Sequence, residues 1–211
     1  MKIIRITFLV TIWLVISGMS SDPYGGGCVP TDKPFGKVAT ETEMSEWDGW
    51  WCTISYDQCL RGSTDVTNPS EVVLDVFDED RFYVYELRKA PLKPGKYGKF
   101  WFGFELYTCD DAKCEKTSEI APHDDSIPWA LLRKDKDEIL LWNTHNGKSI
   151  YAAIEQDKIP GEYLGEDEFR ILGSLMNEEE AALLVDGQYY MITESSPIVY
   201  IRVEEPLDDT F

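Results

Sequence analysis

From residue 71 onward the chain is a succession of short β-rich runs separated by turn residues, and no other feature narrows the fold as much. EVVLDVF (71–77) and RFYVYELR (81–88) flank the acidic connection DED, the pattern of a β-hairpin. KFWFGFELYTC (99–109) alternates Phe100, Phe102, Phe104 and Leu106 with Trp101, Gly103, Glu105 and Tyr107, the period-two spacing of a strand. WALLRKD (129–135), EILLW (138–142) and PIVYIRV (197–203) continue the series, while APLKPGKYG and APHDDSIP read as loops. Asn146-Gly147 and Asp186-Gly187 each separate two apolar runs and suit the positive φ angles of a type I′ hairpin.

One segment reads two ways. SLMNEEEAALLV (174–185) contains good helix formers, and Ser174 and Asn177 are capping residue types. A turn followed by the strand AALLV is favoured, because Asp186-Gly187 needs a strand before it. No heptad, internal repeat or long helix is evident. About ten short strands joined mostly by tight turns make an all-β antiparallel barrel or sandwich. The length of 211 residues suits one such domain, and 43% hydrophobic residues are enough to build its core.

The first twenty residues have the layout of a secretory signal peptide. Lys2 and Arg5 precede an apolar run over residues 6–16, and Ser17, Gly18 and Ser20 offer small residues for cleavage. The run is too short to span a bilayer, which takes about 20 residues, and no later run approaches that length. Ile16, Ser17 and Gly18 resemble the end of a bacterial lipoprotein signal, but Met19 stands where that signal has its lipidated cysteine. Residues 21–46, rich in Gly, Pro and small polar types, read as a flexible leader, with the folded domain over 47–204 and an acidic tail over 205–211. A secreted or periplasmic location follows.

Cysteine usage agrees with an oxidising compartment. Cys52–Cys59 and Cys109–Cys114 are the simplest local pairings among five cysteines, with Cys28 left over; Cys28–Cys59 stays open as an alternative. The net charge of −19 repels nucleic acid and anionic lipid and favours either plain solubility or a basic partner protein.

Residues 45–59 read SEWDGWWCTISYDQC and gather three tryptophans around a glycine. A large indole plugs the end of a closed barrel well, and a neighbouring glycine lets the chain pass close by. Gly49-Trp50-Trp51 resembles the G-x-W motif that opens the first strand of lipocalin-type barrels. In that family an arginine on or after the last strand lies across the tryptophan as a cation–π contact, and Arg202 in YIRV stands at the matching place. The resemblance covers roughly residues 47 to 204 and extends to small lipocalin-like domains of bacterial secreted proteins. It implies an up-and-down β-barrel of about 8–10 strands. Gly49, Trp51 and Arg202 would be structural residues of that barrel. The other short motifs of the classical family are not evident.

Such barrels commonly hold a small hydrophobic ligand. Phe100, Phe102 and Phe104 share one face of their strand, and Phe82 and Val84 lie opposite Tyr83 and Tyr85. With Trp142, these residues are the expected ligand lining. The alternative is that they fill the barrel interior. Catalysis has no comparable signal. There is no G-x-S-x-G elbow and no phosphate-binding glycine loop, and His123 beside Asp124-Asp125 suits a solvated loop. DVFDEDR lacks calcium-loop spacing, and two histidines without a C-x-x-C give no metal site. The sequence therefore predicts a binding protein rather than an enzyme, with no cofactor.

Overall fold

A computed structural model of the chain describes residues 29–55, 58–62, 71–76, 81–109, 117–119, 126–142, 146–165, 168–185, 189 and 197–204; for 71–76, 81–82, 107–109 and 117–119 it describes the backbone alone. In chain order the elements are β1 (Lys37–Val38), α1 (Glu41–Met44), β2 (Gly49–Cys52), β3 (Gln58–Gly62), β4 (Glu71–Val76), β5 (Arg81–Lys93), β6 (Lys96–Cys109) and β7 (Thr117–Glu119). They continue as β8 (Trp129–Lys134), β9 (Glu138–Trp142), α2 (Gly147–Glu155), β10 (Gly161–Tyr163), β11 (Phe169–Ile171), α3 (Glu178–Leu183) and β12 (Ile198–Val203).

The strand pairings form a ring. β2 pairs with β3, β3 with β4, β4 with β5 and β5 with β6, all antiparallel. β6 then pairs with β8, β8 with β9, β9 with β12, and β12 returns to β2. Each of these eight strands has two hydrogen-bonded neighbours, so the sheet is an up-and-down antiparallel barrel with no free edge among them. β1 and β7 add short pairings to the outer reaches of β5 and β6, which are long enough to bond different neighbours at their two ends. The 71–77/81–88 hairpin forms as the sequence predicts. The expected loop APLKPGKYG is mostly strand: β5 runs to Lys93 and β6 begins at Lys96, leaving a two-residue turn in which Gly95 has φ of 70°.

Two hydrophobic cores lie on opposite sides of the barrel wall. The inner one gathers Met44, Trp47, Trp51, Leu60, Leu87, Trp101, Leu132, Ile139, Leu141 and Tyr200. The outer one joins Phe102, Phe104, Trp129, Leu131 and Trp142 of the wall to Val29, Phe35, Ile150, Ile154, Ile171 and Leu184. Three coverings build this second core, and each departs from the sequence expectation.

The first covering is the segment expected as a flexible leader, which in residues 29–46 packs against the barrel. Phe35 stands edge-on to Phe102, Phe104 and Trp129, with ring centroids 4.8, 5.0 and 5.1 Å away. Val29 accepts the Trp129 indole N–H at 2.6 Å. Thr31, fully buried, exchanges backbone hydrogen bonds with Ile127 and donates its hydroxyl to Ile171 O. Aromatic burial of this kind stabilises by about 1.5–3 kcal/mol per side chain, which outweighs the local preference of Gly and Pro for disorder.

The second is α2, in place of a hairpin at Asn146-Gly147. Asn146 has φ of −82°, and its side chain caps the helix by accepting the Ser149 N–H. Ile150, Ala153 and Ile154, at helical spacing, turn one stripe onto the wall. The third is α3, where the turn-and-strand reading of 174–185 gives way to a helix. Asn177 and Glu180 form a capping box, and Ala181 is buried. The first-turn Glu178 ties this helix to the β5–β6 turn, accepting the Gly95 N–H at 2.7 Å and the Tyr97 hydroxyl. Asp186-Gly187 lies outside the described residues.

Cys52 and Cys59 face each other across β2 and β3 and form a disulfide, as the spacing predicts. Cys28 and Cys114 lie outside the described residues, as do residues 1–20 and 205–211. Among the described residues no helix is long and apolar enough to cross a membrane. The bridge spans seven residues, so opening it restores about 2 kcal/mol of chain entropy to the unfolded state. Reduction, or the Cys52→Ser/Cys59→Ser pair, is expected to lower the melting temperature by about 5 °C while leaving the far-UV circular dichroism unchanged. An unchanged melting temperature would mean that the bridge does not form.

Candidate functional site

Inner and outer positions alternate along the strands, interrupted in the β5–β6 pair by register shifts, one of them at Leu106, and the pairings carry this alternation round the ring. Trp51 pairs with Leu60 on one side and with Arg202 on the other, so all three share the inner face. Period two then places Tyr200 and Ile198 inside on β12, and pairing carries the inner face to Ile139 and Leu141 on β9 and to Leu132 on β8.

One end of the barrel is plugged. Trp51 and Trp47 are fully buried there, and the Trp51 indole N–H donates to Trp47 O at 2.9 Å. Trp47 meets Trp101 edge-on at 5.4 Å. Gly49 adopts φ of 102°, a left-handed conformation that brings the chain into β2. Arg202 Cζ lies 5.2 Å from the Trp51 ring centre, and its guanidinium donates to Asp48 O at 2.9 Å. Gly49, Trp51 and Arg202 thus come together as the sequence predicts. The same indole also carries Lys134 Nζ at 5.0 Å, and Lys89 Nζ stands 5.6 Å from the Trp101 ring. Burial pushes the Lys134 ammonium toward its neutral form, opposed by Glu46 and reinforced by Arg202. The plugged end is therefore ringed by cations.

The opposite end, the mouth, has the reverse character. Among the described side chains its inward positions are Gln58, Tyr83, Tyr85, Glu105 and Ile198, all partly exposed, above the buried Leu60, Leu87, Leu132 and Leu141. Tyr85 and Glu105 are register partners, and the Tyr85 hydroxyl donates to Glu105 Oε2 at 3.2 Å. The Tyr200 hydroxyl donates to Gln58 Oε1 at 3.2 Å. Burial raises the Glu105 pKa above the ordinary carboxylate range, and the Tyr85 hydrogen bond offsets part of that rise. Ile198 on β12 stands four strands round the ring from β5 and so faces Tyr83 and Tyr85 across the mouth.

The expected ligand lining lies on the other side of the wall. Phe102 and Phe104 are fully buried in the outer core with Trp142, and Phe100 packs against that core. Val84 is buried at a register position opposite to the inward Tyr83 and Tyr85, and Phe82 shares its parity, although the Phe82 side chain is outside the description. The correction has one cause. With 29–35, α2 and α3 laid over the barrel, the wall beneath them is apolar on its outer side as well, and the Phe side of β6 turns out rather than in. Sequence reasoning named none of the five mouth positions Gln58, Tyr83, Tyr85, Glu105 and Ile198 as ligand lining. For Ile198 a signal was available: Arg202 was expected beside Trp51, and period two puts Tyr200 and Ile198 on the same face. Glu105 had no such anchor on its own strand.

Among the described residues no group of three or more His, Cys, Asp or Glu side chains is placed to hold a metal ion. Set against known proteins, the chain matches no family model, no curated protein and no solved structure.

Proposed function

We propose that this chain is an extracytoplasmic, lipocalin-like protein that holds a small, largely apolar molecule in the mouth of its barrel. The observation that carries the reading is the asymmetry of the inner face. One end is sealed by Trp47, Trp51 and Arg202, and the other presents partly exposed tyrosines over a buried aliphatic floor. A concave apolar site with a few convergent polar groups is the usual form of a small-molecule pocket. An eight-stranded barrel has an interior of the size that takes one small ligand. The G-x-W and arginine pairing supports the lipocalin-like assignment, and the Cys52–Cys59 bridge supports an oxidising compartment.

The test uses a neutral solvatochromic dye titrated against the full chain, alongside native mass spectrometry for retained ligand. Saturable one-to-one binding is expected. Ile198→Trp, which sets an indole across the mouth from Tyr83 and Tyr85, is expected to weaken it tenfold or more with near-UV circular dichroism preserved. Wild-type protein that neither retains a molecule nor binds the dye would overturn the reading, as would an Ile198→Trp variant that binds like wild type.

A further inference from the structure

Three partly buried glutamates are held by cations. Glu43 meets Lys89 Nζ at 2.6 Å, Glu86 meets Arg88 Nε at 2.6 Å, and Glu162 meets Arg170 Nη2 at 2.5 Å. Glu105 has no such cation among the described residues. It is half-buried on the inner face of the mouth, and among the described residues its polar contact is the Tyr85 hydroxyl alone. An ionised carboxylate accepts about four hydrogen bonds, so most of its acceptor capacity is unused. Among the described side chains, the cations at inward positions stand at the plugged end: Lys89 on Trp101, Lys134 and Arg202 on Trp51, and Lys99 against Asp135.

We infer, building on the ligand-binding reading above, that the mouth selects a ligand carrying a protonated amine on an apolar or aromatic body, with Glu105 as the counter-ion. The ammonium supplies the charge partner that none of the described side chains gives Glu105. The contact is a charge-assisted hydrogen bond in a site partly withdrawn from water, where such bonds are roughly twice as strong as neutral ones. Tyr83 and Tyr85 add ring faces that attract a cation, and the Tyr85 hydroxyl fixes the carboxylate by holding Oε2. The ligand body lies on Leu60, Leu87 and Leu132 below. The raised pKa of Glu105 is in keeping with a carboxyl that lacks its partner.

A matched pair of probes separates this inference from the reading on which it rests. 1-Naphthylmethylamine and 1-naphthalenemethanol have the same aromatic body and differ in charge. Each is to be measured by displacement of the neutral dye from the full chain. The amine is expected to bind at least tenfold tighter than the alcohol. In Glu105→Gln the ratio of amine to alcohol affinity is expected to fall below threefold. Dye and alcohol binding without preference for the amine would overturn the inference and leave the mouth reading standing. An amine preference that survives Glu105→Gln would overturn it equally, by placing the cation elsewhere. Failure of dye and both probes to bind would overturn the mouth reading and the inference together.

Discussion

Gly62→Ala is expected to lower the melting temperature by roughly 10 °C, or to prevent folding altogether, although it adds a single methyl group. A Cβ at this position would lie 1.9 Å from the carbonyl oxygen of Trp47 and 2.4 Å from its carbonyl carbon. These are backbone atoms, so no rotamer change relieves the overlap. β3 or the turn over residues 45–47 must move instead, and that turn carries the Trp47 plug. Overpacking of a buried site ordinarily costs about 1–3 kcal/mol, and an overlap with main chain belongs at or above the upper end. Gly165→Ala is the matched control, since an added Cβ there meets nothing within 4 Å and the residue is exposed. Its melting temperature should stay within about 2 °C of wild type. Equal behaviour of the two variants in a thermal melt would mean that β3 does not run against Trp47.

That glycine shows where the sequence was readable and where it was not. Strands announced themselves through alternation and turn residues, and β4, β5, β6, β8, β9 and β12 lie where the β-rich runs predicted them. The plug was readable because its chemistry is local: a glycine, an indole and a distant arginine whose place is set by the order of strands. Gly62 left no mark in the sequence. It is required by the close approach of two segments, and a glycine in a strand can equally mark a bulge or a ligand.

Sidedness was the larger loss. KFWFGFELY has bulky residues at both parities, and alternation alone cannot say which parity faces the lumen when both sides of a wall are buried. The missing information lay in segments that looked like something else. Residues 29–35 resembled a linker, yet Phe35 sits among three rings of the wall. SIYAAI carried helical spacing in Ile150, Ala153 and Ile154, but Asn146-Gly147 invited a hairpin. An Asn before an apolar i, i+3, i+4 set is also a helix cap, and here tertiary burial decided between the two. Had those coverings been recognised, the outer wall would have needed apolar residues, and the Phe parity of β6 would have been assigned outward.

Trp51→Ala is expected to be the most damaging single truncation in the barrel, costing about 3–5 kcal/mol and lowering the melting temperature by on the order of 10 °C or more. The indole is fully buried, donates its N–H to Trp47 O, and carries two cations, Arg202 and Lys134. Its loss leaves a cavity between the ends of β2 and β12, strips the Trp47 carbonyl of its donor, and sets two positive charges facing an empty space. These effects can be separated. Trp51→Phe keeps most of the ring and loses the hydrogen bond, so it should cost about 1–2 kcal/mol. Arg202→Met removes one exposed cation from the ring and should cost no more than about 1 kcal/mol. The expected order in urea unfolding is therefore Ala, then Phe at position 51, then Met at position 202. Arg202→Met matching Trp51→Ala would mean that the guanidinium, rather than the indole, closes the barrel. Because the plug lies at the far end from Glu105, Arg202→Met should also leave dye binding at the mouth intact, which separates the part of the molecule that maintains the barrel from the part proposed to use it.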